Sequence, residues 1–242
     1  HVPAAVGNAV TAINSGMDML SHKSIILSAL FPDSTLSDMP RNYLGEYDVT
    51  PKQIQQAIDF YLENETVLDP TVALYVVRAL PYGTPIEAVE PDAGRIAYEL
   101  FEGKRFRGGM SEERARIAQK DNTRSLEILG QFFKAGIPVV AGTDNAVPVF
   151  NLYLELESYH NVGGLTNLEA LQSATIVPAT AMKMGEETGT LEVGKQADIA
   201  ILDQNPLEDV SNVRTVTAVM SDGYYYQSAP LWEAADFKPN RD

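Results

Sequence analysis

The stretch Ile137-Pro-Val-Val-Ala-Gly-Thr-Asp-Asn145 decides the fold of this chain. Its apolar run ends in Gly142-Thr-Asp144, which predicts a buried strand that carries the Asp144 carboxylate at its C-terminal end. Parallel α/β barrels place their catalytic groups at this end of their strands. The alternative is that Asp144 caps a following helix or closes a turn. These nine residues alone leave both interpretations open.

Predicted strands and helices alternate on the N-terminal side of this stretch. Residues 8–15 have a helical pattern, and a strand over residues 17–20 leads to His22. A second buried strand and its loop are predicted within residues 65–74, and a long helix over residues 111–135 leads into the stretch quoted above. This alternation is typical of an α/β fold with a parallel sheet.

The pattern changes to short strands near the C-terminus. Residues 199–202 and 215–220 are predicted strands, and Asp222-Gly223 is a hairpin signal before Tyr224-Tyr-Tyr226. Because successive side chains of a strand alternate between its faces, we expect these tyrosines to pack within the β module rather than form a binding platform.

Three regions follow from these patterns. We expect residues 1–184 to form the α/β body, residues 185–228 to form the β module, and residues 229–242 to form a terminal helix and tail. Within the last region, Leu231 and Trp232 are expected to dock on the body.

The composition excludes several partners and sites. The chain has 33 acidic and 18 basic residues, and its formal charge of -15 repels the phosphates of nucleic acids. No apolar run approaches the roughly 18 to 20 residues that a membrane-spanning helix needs. Because the chain has no cysteine, a metal site must use His, Asp, Glu or carboxylated Lys. We therefore predict no nucleic-acid partner and no membrane span.

Two basic features outside the predicted strand ends are further candidates for functional sites. His160 follows a helical segment, where a cation interacts favourably with the helix dipole, so we predict a structural or solvated role. The cluster Lys104-Arg-Phe-Arg107 favours a solvated loop, with a contact to a substrate carboxylate as the alternative.

Four segments of the chain form a combination whose order and spacing are more specific than any one of them. They are His1, Gly16-Met-Asp-Met-Leu-Ser-His22, Gly142-Thr-Asp144 and Gly189-Thr-Leu-Glu-Val-Gly-Lys-Gln-Ala-Asp198. Together they resemble the metal-dependent amidohydrolase superfamily, in particular its imidazolonepropionase and prolidase-like branch.

The resemblance implies a fold and a partner. The family folds as a (β/α)8 TIM-like barrel with a β-sandwich appendage, and by resemblance His1, His22 and Asp144 end the fifth, sixth and eighth barrel strands. The chain then looks like the C-terminal half of the barrel followed by C-terminal strands of the sandwich. We expect an N-terminal half of the same protein to complete the barrel, because open sheet edges favour pairing or self-association.

The resemblance also implies the chemistry of the site. His1, His22 and Asp144 would bind one or two divalent metal ions, most consistent with zinc. Asp144 would act as the general base in the hydrolysis of an amide, cyclic amide or dipeptide C–N bond. His22 would either bind a second ion or contact the small-molecule substrate.

Two other interpretations remain open at this point. The chain could be a non-catalytic assembly module that is inactive without an N-terminal half. It could also be a metal-free barrel enzyme, in which case His1, His22 and Asp144 would not converge on one point.

Overall fold

The computed structural model of the protein is a mixed α/β structure. The structure describes residues 7–39, 42–101, 108–144 and 147–238. His1 and the Lys104-Arg-Phe-Arg107 cluster, two subjects of the sequence analysis, lie outside these ranges. Inside them, no helix is both long enough and apolar enough to cross a bilayer.

The parallel strands lie in the first part of the chain, and the antiparallel strands lie near its C-terminus. The strands are β1 (Met19–Ser21), β2 (Val67–Asp69), β3 (Ile199–Leu202), β4 (Val216–Ser221) and β5 (Tyr224–Gln227). The α-helices are α1 (Ala9–Asn14), α2 (Lys23–Ile26), α3 (Pro51–Glu63), α4 (Val72–Arg78), α5 (Tyr98–Phe101), α6 (Glu112–Lys134), α7 (Asn151–Asn161), α8 (Asn167–Gln172), α9 (Ile176–Ala181) and α10 (Ser228–Ala234).

A small parallel sheet positions the site. β1 pairs in parallel with β2, with Leu20 opposite Leu68. Leu68 also forms an isolated parallel bridge with Val139. All three side chains are buried. The strand predicted before Asp144 is therefore present as a single parallel bridge, and the three segments bring their carboxyl ends to one edge of the sheet.

Residues 65–74 differ in part from the prediction. The strand is present as β2, but residues 72–74 belong to α4 instead of a loop. The N–H groups of Val72 and Ala73 donate to the carboxylate of Glu155, at 2.9 and 2.6 Å. Because this acceptor lies on α7, far along the chain, the local sequence could not reveal the start of α4.

Side-chain caps start three further helices, α3, α6 and α8. The Thr50 hydroxyl accepts the N–H of Gln53, whose side chain accepts the N–H of Thr50. Thr166 and Glu169 form the same capping box at the start of α8. Ser111 accepts an N–H bond at the start of α6. Each cap satisfies backbone donors that a helix start leaves without partners.

The main hydrophobic core lies beside the parallel strands and includes residues of α1, α3 and α6. Tyr61 of α3 and Phe132 of α6 meet edge to face, with 5.6 Å between their ring centroids. Both side chains are fully buried. Burial of one such ring contributes about 1.5–3 kcal/mol to stability. The core thus holds α6 against the strands whose ends carry the site.

The C-terminal strands form a separate antiparallel sheet in the order β3-β4-β5. Asp222 and Gly223 have φ angles of 49° and 80°, which confirms the predicted hairpin between β4 and β5. Tyr224, Tyr225 and Tyr226 are 68%, 59% and 44% exposed. The expectation that they pack within the module is wrong for the part of the chain described, because no second layer there covers them.

The terminal helix α10 docks through one aromatic side chain. Trp232 stacks on Phe150, with 5.8 Å between ring centroids, and also contacts Phe237. Leu231 is 45% exposed. The docking prediction is therefore confirmed for Trp232 and wrong for Leu231, whose side chain remains largely in solvent.

Candidate active site

His22 lies directly after β1, at the carboxyl edge of the parallel sheet. Its backbone N–H donates to the carbonyl of Asp69, at 2.8 Å. Its ring Nδ1 lies 2.8 Å from the Thr71 hydroxyl oxygen. His22 and Thr71 both have positive φ angles, 74° and 49°. Such a conformation costs a non-glycine residue about 1–3 kcal/mol, and strain of this kind is concentrated at functional sites.

Asp69 lies at the end of β2 and was missed by the sequence analysis. Its Oδ2 accepts a hydrogen bond from the Ser21 hydroxyl at 3.0 Å, while Oδ1 is buried and has no hydrogen-bond partner among the described residues. Burial raises the pKa of Asp69, the Ser21 hydrogen bond and the charge of His22 lower it, and the charge of Asp144 raises it. Asp69 therefore interacts electrostatically with both predicted site residues.

Gly142 allows the Asp69 carboxylate to approach the chain. A Cβ atom added to Gly142 would lie 1.6 Å from Asp69 Oδ1, a distance that no side chain could accept. This close approach joins the end of β2 to the Gly142-Thr-Asp144 motif. The glycine of the motif thus has a specific steric role, which its sequence pattern alone does not reveal.

Asp144 lies in a turn with φ 43°, and its side chain is exposed. The N-cap of the following helix is Phe150, so Asp144 is not a helix cap. The Asn151 amide donates to the carbonyl of Thr143 at 2.7 Å, and its oxygen accepts the N–H of Val147 at 3.2 Å. Asn151 therefore holds both sides of the turn that presents Asp144.

His22, Asp69 and Asp144 follow the three parallel segments at one edge of the sheet, and the charges of His22 and Asp144 both influence the pKa of Asp69. No group of three His, Asp or Glu side chains with metal-binding geometry occurs among the residues described, and His1 lies outside them. The donor types are nevertheless those that suit zinc-like ions, and the buried Asp69 Oδ1 is an additional oxygen without a hydrogen bond. The residues present thus fit a divalent ion by their chemistry.

His160 has a different, structural role. Its Nδ1 lies 2.8 Å from the carbonyl oxygen of Leu165, just beyond the end of α7. This contact joins the end of α7 to the loop before α8. The structure agrees with the structural role predicted for His160.

Glu155 stabilises the start of α4, next to Thr71, and the sequence analysis did not identify it. It is fully buried, and its carboxylate caps the start of α4, the helix that follows Thr71. Burial raises its pKa to about 8, whereas hydrogen bonds from the backbone and Tyr159 lower it and the charge of Asp69 raises it. Glu155 therefore positions the turn whose Thr71 hydroxyl contacts His22.

A cavity of about 290 Å³ opens next to Lys23 and Ser24, which follow His22 in the chain. Its wall includes Lys23, Ser24, Tyr43, Tyr75, Arg78 and Asp121. The Lys23 ammonium forms a buried ion pair with Asp121 and lies 4.8 Å from the centroid of the Tyr75 ring. The Tyr75 hydroxyl lies 3.1 Å from the Ser24 hydroxyl. The charge of Asp144 contributes to a raised pKa of Tyr75, so this ring connects the cavity to the carboxyl edge.

Comparison with known proteins finds a family match for part of the chain. Residues 119–224 match the model of the amidohydrolase family. Ochratoxinase of Aspergillus niger is 33% identical over 128 residues, which cover 52% of this chain and 26% of that protein. Imidazolonepropionase of Thermoplasma volcanium is 31% identical over 101 residues, which cover 38% of this chain and 24% of that protein. The matched segments thus span about a quarter of the length of these relatives.

Solved structures share the fold over most of the chain. A Xaa-Pro dipeptidase with bound methionine in its active site has a TM-score of 0.56 at 22% identity, over 90% of this chain and 42% of that one. A bottromycin amidohydrolase has a TM-score of 0.61 at 16% identity, over 98% of this chain and 53% of that one. Residues 119–224 thus match the amidohydrolase family in sequence, and the chain as a whole shares the fold of these solved structures.

Proposed function

We propose that the protein is a metal-dependent hydrolase that cleaves an amide, cyclic amide or dipeptide C–N bond. Hydrolases among its relatives support this reaction class. The observation that carries the proposal is that His22, Asp69 and Asp144 all follow parallel segments at the carboxyl edge of one sheet. Parallel α/β folds place their chemistry at this edge.

The parallel strands are proposed to be part of a (β/α)8 barrel. β2 lies between β1 and the segment of Val139, and no other strand pairs with β1 among the residues described. Because a barrel must close, we propose that an N-terminal half of the same protein supplies the remaining strands. In this arrangement residues 1–184 belong to the barrel and residues 185–228 to a β-sandwich.

The metal site is proposed to contain His1, His22 and Asp144, with one or two divalent ions. Members of this superfamily typically use divalent metals, and imidazole with carboxylate is a ligand set that suits zinc. A bound ion would supply Lewis acidity, which polarises a substrate carbonyl and makes water a better nucleophile at neutral pH. Thr71 would hold the His22 ring in a fixed orientation for this role.

The proton transfers are assigned to Asp144. Its exposed carboxylate would take a proton from the attacking water and pass it to the leaving nitrogen. The turn held by Asn151 would fix the position of this carboxylate.

The second interpretation, a non-catalytic assembly module, is less well supported. The relatives whose names state an activity are hydrolases or a deaminase. The open edge of β1 fits assembly with a further segment, but the assembly interpretation gives no role to Asp69, whose Oδ1 is buried without a hydrogen-bond partner among the described residues.

The test is hydrolysis by the full-length protein and matched variants. We expect turnover of N-acyl amino acids, dipeptides or cyclic amides, and a loss of at least about 100-fold in kcat for Asp144→Asn. The matched controls are Asp33→Asn, which changes an exposed carboxylate elsewhere, and His160→Gln against His22→Gln. Unchanged turnover in Asp144→Asn and His22→Gln would contradict the proposal.

A further inference from the structure

We propose that the C-terminal segment, residues 232–238, positions Asp144, and that Trp232 and Arg95 are the positioning residues that transmit this effect. The inference rests on the proposed function of Asp144 in proton transfer and adds residues that act through it. Neither side chain belongs to the candidate active site. Each instead contacts Phe150, which directly precedes α7. The start of α7 is therefore where the end of the chain can influence the reaction.

The turn that presents Asp144 has a backbone conformation that needs support from other parts of the chain. Asp144 and Val149 have φ angles of 43° and 71°. This left-handed region is uncommon for residues other than glycine, and a β-branched residue such as Val149 is an outlier there. Such conformations persist only where surrounding contacts hold them in place. Val149 is 50% exposed, so the support must come mainly from other side chains.

The start of α7 supplies this support. Asn151, the first residue of the helix, donates to the carbonyl of Thr143 and accepts the N–H of Val147. Phe150, directly before Asn151, is fully buried in a hydrophobic cluster that also contains Val147. The position of Phe150 therefore fixes Asn151 and, through its two hydrogen bonds, both sides of the turn.

The C-terminal segment covers Phe150 with two aromatic side chains. Trp232 stacks on the Phe150 ring, with 5.8 Å between centroids and an interplanar angle of 24°. Phe237 meets the same ring edge to face, with 6.1 Å between centroids, and is itself buried. Trp232 and Phe237 also contact each other. Because the three rings form one cluster, a displaced C-terminal segment would uncover the residue that anchors the turn.

Arg95 binds the C-terminal segment to this cluster. Its Nε donates to the carbonyl of Lys238 at 3.0 Å, and its own carbonyl accepts the Lys238 N–H at 2.9 Å. Its guanidinium carbon lies 5.1 Å from the ring centroids of both Phe150 and Trp232. A cation over an aromatic face is attracted by the ring quadrupole, more strongly where water is excluded. Arg95 is 8% exposed, so its contacts are largely shielded from water.

A simpler role for these contacts is to stabilise the end of the chain. Docking on any apolar surface would serve that role. The observed contacts instead converge on Phe150, next to the residue that hydrogen-bonds both sides of the Asp144 turn. The two roles differ in one measurable way: a positioning role requires that the loss of Trp232 lowers kcat only while Asp144 is present.

The kinetic test is a double-mutant cycle in the full-length protein, assayed on the dipeptide or N-acyl amino acid that the wild type hydrolyses fastest. Trp232→Ala should lower kcat about 10-fold and change KM less than about 2-fold, because a small misplacement of a catalytic group slows the chemical step. In an Asp144→Asn background the same substitution should change kcat less than about 2-fold. Trp232→Phe keeps a ring on Phe150 and should retain most of kcat. Arg95→Lys keeps the charge but loses the planar guanidinium, so it should lower kcat as Trp232→Ala does.

Hydrogen–deuterium exchange measures the same effect without turnover. Peptides within residues 142–152 should exchange about 10-fold faster in Trp232→Ala than in the wild type, whereas peptides of α6 should be unchanged. The matched control is Tyr225→Ala, which removes a 59% exposed ring on β5 and should change neither exchange nor kcat.

The outcomes separate this inference from the hydrolase proposal. Unchanged exchange within residues 142–152 of Trp232→Ala would overturn the inference and leave the hydrolase proposal standing. An equal loss of kcat from Trp232→Ala with and without the Asp144 carboxylate would do the same. If the wild type hydrolyses no amide, or Asp144→Asn retains its kcat, the proposed function fails instead. The exchange rates then decide whether the C-terminal segment holds the turn.

Discussion

Replacing Glu155 by glutamine should destabilise the protein and disturb the site it supports. The wild-type carboxyl group accepts two backbone N–H bonds, from Val72 at 2.9 Å and Ala73 at 2.6 Å, and its hydroxyl oxygen can still accept one of them when the group is protonated. Glutamine keeps one oxygen acceptor and turns an NH2 group toward the other donor. One fully buried N–H then loses its partner, which costs about 1–3 kcal/mol.

The pH dependence of this effect has a defined sign. Burial raises the pKa of Glu155 to about 8 in the folded protein, above the ordinary value of 4.5. The folded state therefore holds a proton that the unfolded state releases between these values, so the stabilising contribution is complete below pH 4.5 and is lost as the pH rises through about 8. Glutamine does not titrate. The stability difference between wild type and Glu155→Gln should thus be larger at pH 6 than at pH 9.

The assay is urea unfolding followed by the fluorescence of Trp232, the one tryptophan of the sequence. Trp232 packs on Phe150, directly before α7, so its signal reports the helix that carries Glu155. Glu127→Gln, an exposed change on α6, is the matched control and should stay within about 0.5 kcal/mol of the wild type. A Glu155→Gln variant as stable as this control at pH 6 would refute the capping role of Glu155.

Three further substitutions test the packing around the site. Gly142→Ala places a Cβ atom 1.6 Å from Asp69 Oδ1, so we expect a lower melting temperature and reduced kcat; unchanged melting would contradict the close approach. Phe132→Ala leaves a cavity at a fully buried position and should lower the free energy of unfolding in urea by about 3–5 kcal/mol. A decrease below about 1 kcal/mol would contradict the position of Phe132 in the core. Arg214→Ala leaves the buried carboxylate of Glu90 without its ion pair and should lower the free energy of unfolding in urea by about 3–5 kcal/mol. A near-neutral effect would show that this pair does not contribute to stability.

Short-range signals predicted much of the fold. The capping residues Thr50, Ser111 and Thr166 each act within three residues of the helix they start. The hairpin at Asp222-Gly223 depends on two adjacent backbone conformations. Such features depend on neighbouring residues alone, which is why the sequence was sufficient to predict the helix that begins after Ser111 and the hairpin at Asp222-Gly223.

Features that depend on distant residues were not predicted. The start of α4 depends on Glu155, which lies more than 80 residues further along the chain. The exposure of Tyr224 depends on which surfaces surround the C-terminal sheet. Neither is encoded in local periodicity, because the deciding contact or its absence arises only in the folded chain.

The candidate site was predicted in part. His22 and Asp144 were selected from their positions after apolar runs, and both interact with Asp69 in the structure. Asp69 follows the apolar pair Val67-Leu68 in the same manner as Asp144 follows its own run, so the signal that would have found it was present. The roles of His1, His22 and Asp144 as metal ligands stay predictions.

The central claim is that His22 and Asp144 bind a common metal ion at the carboxyl edge of the parallel strands. The most direct test is anomalous diffraction at the zinc absorption edge from crystals of the full-length protein grown with zinc. The claim predicts an anomalous peak within about 2.0–2.2 Å of a His22 ring nitrogen and an Asp144 oxygen. An ordered site with no peak between these two side chains, or with a peak bound only by other residues, would contradict it.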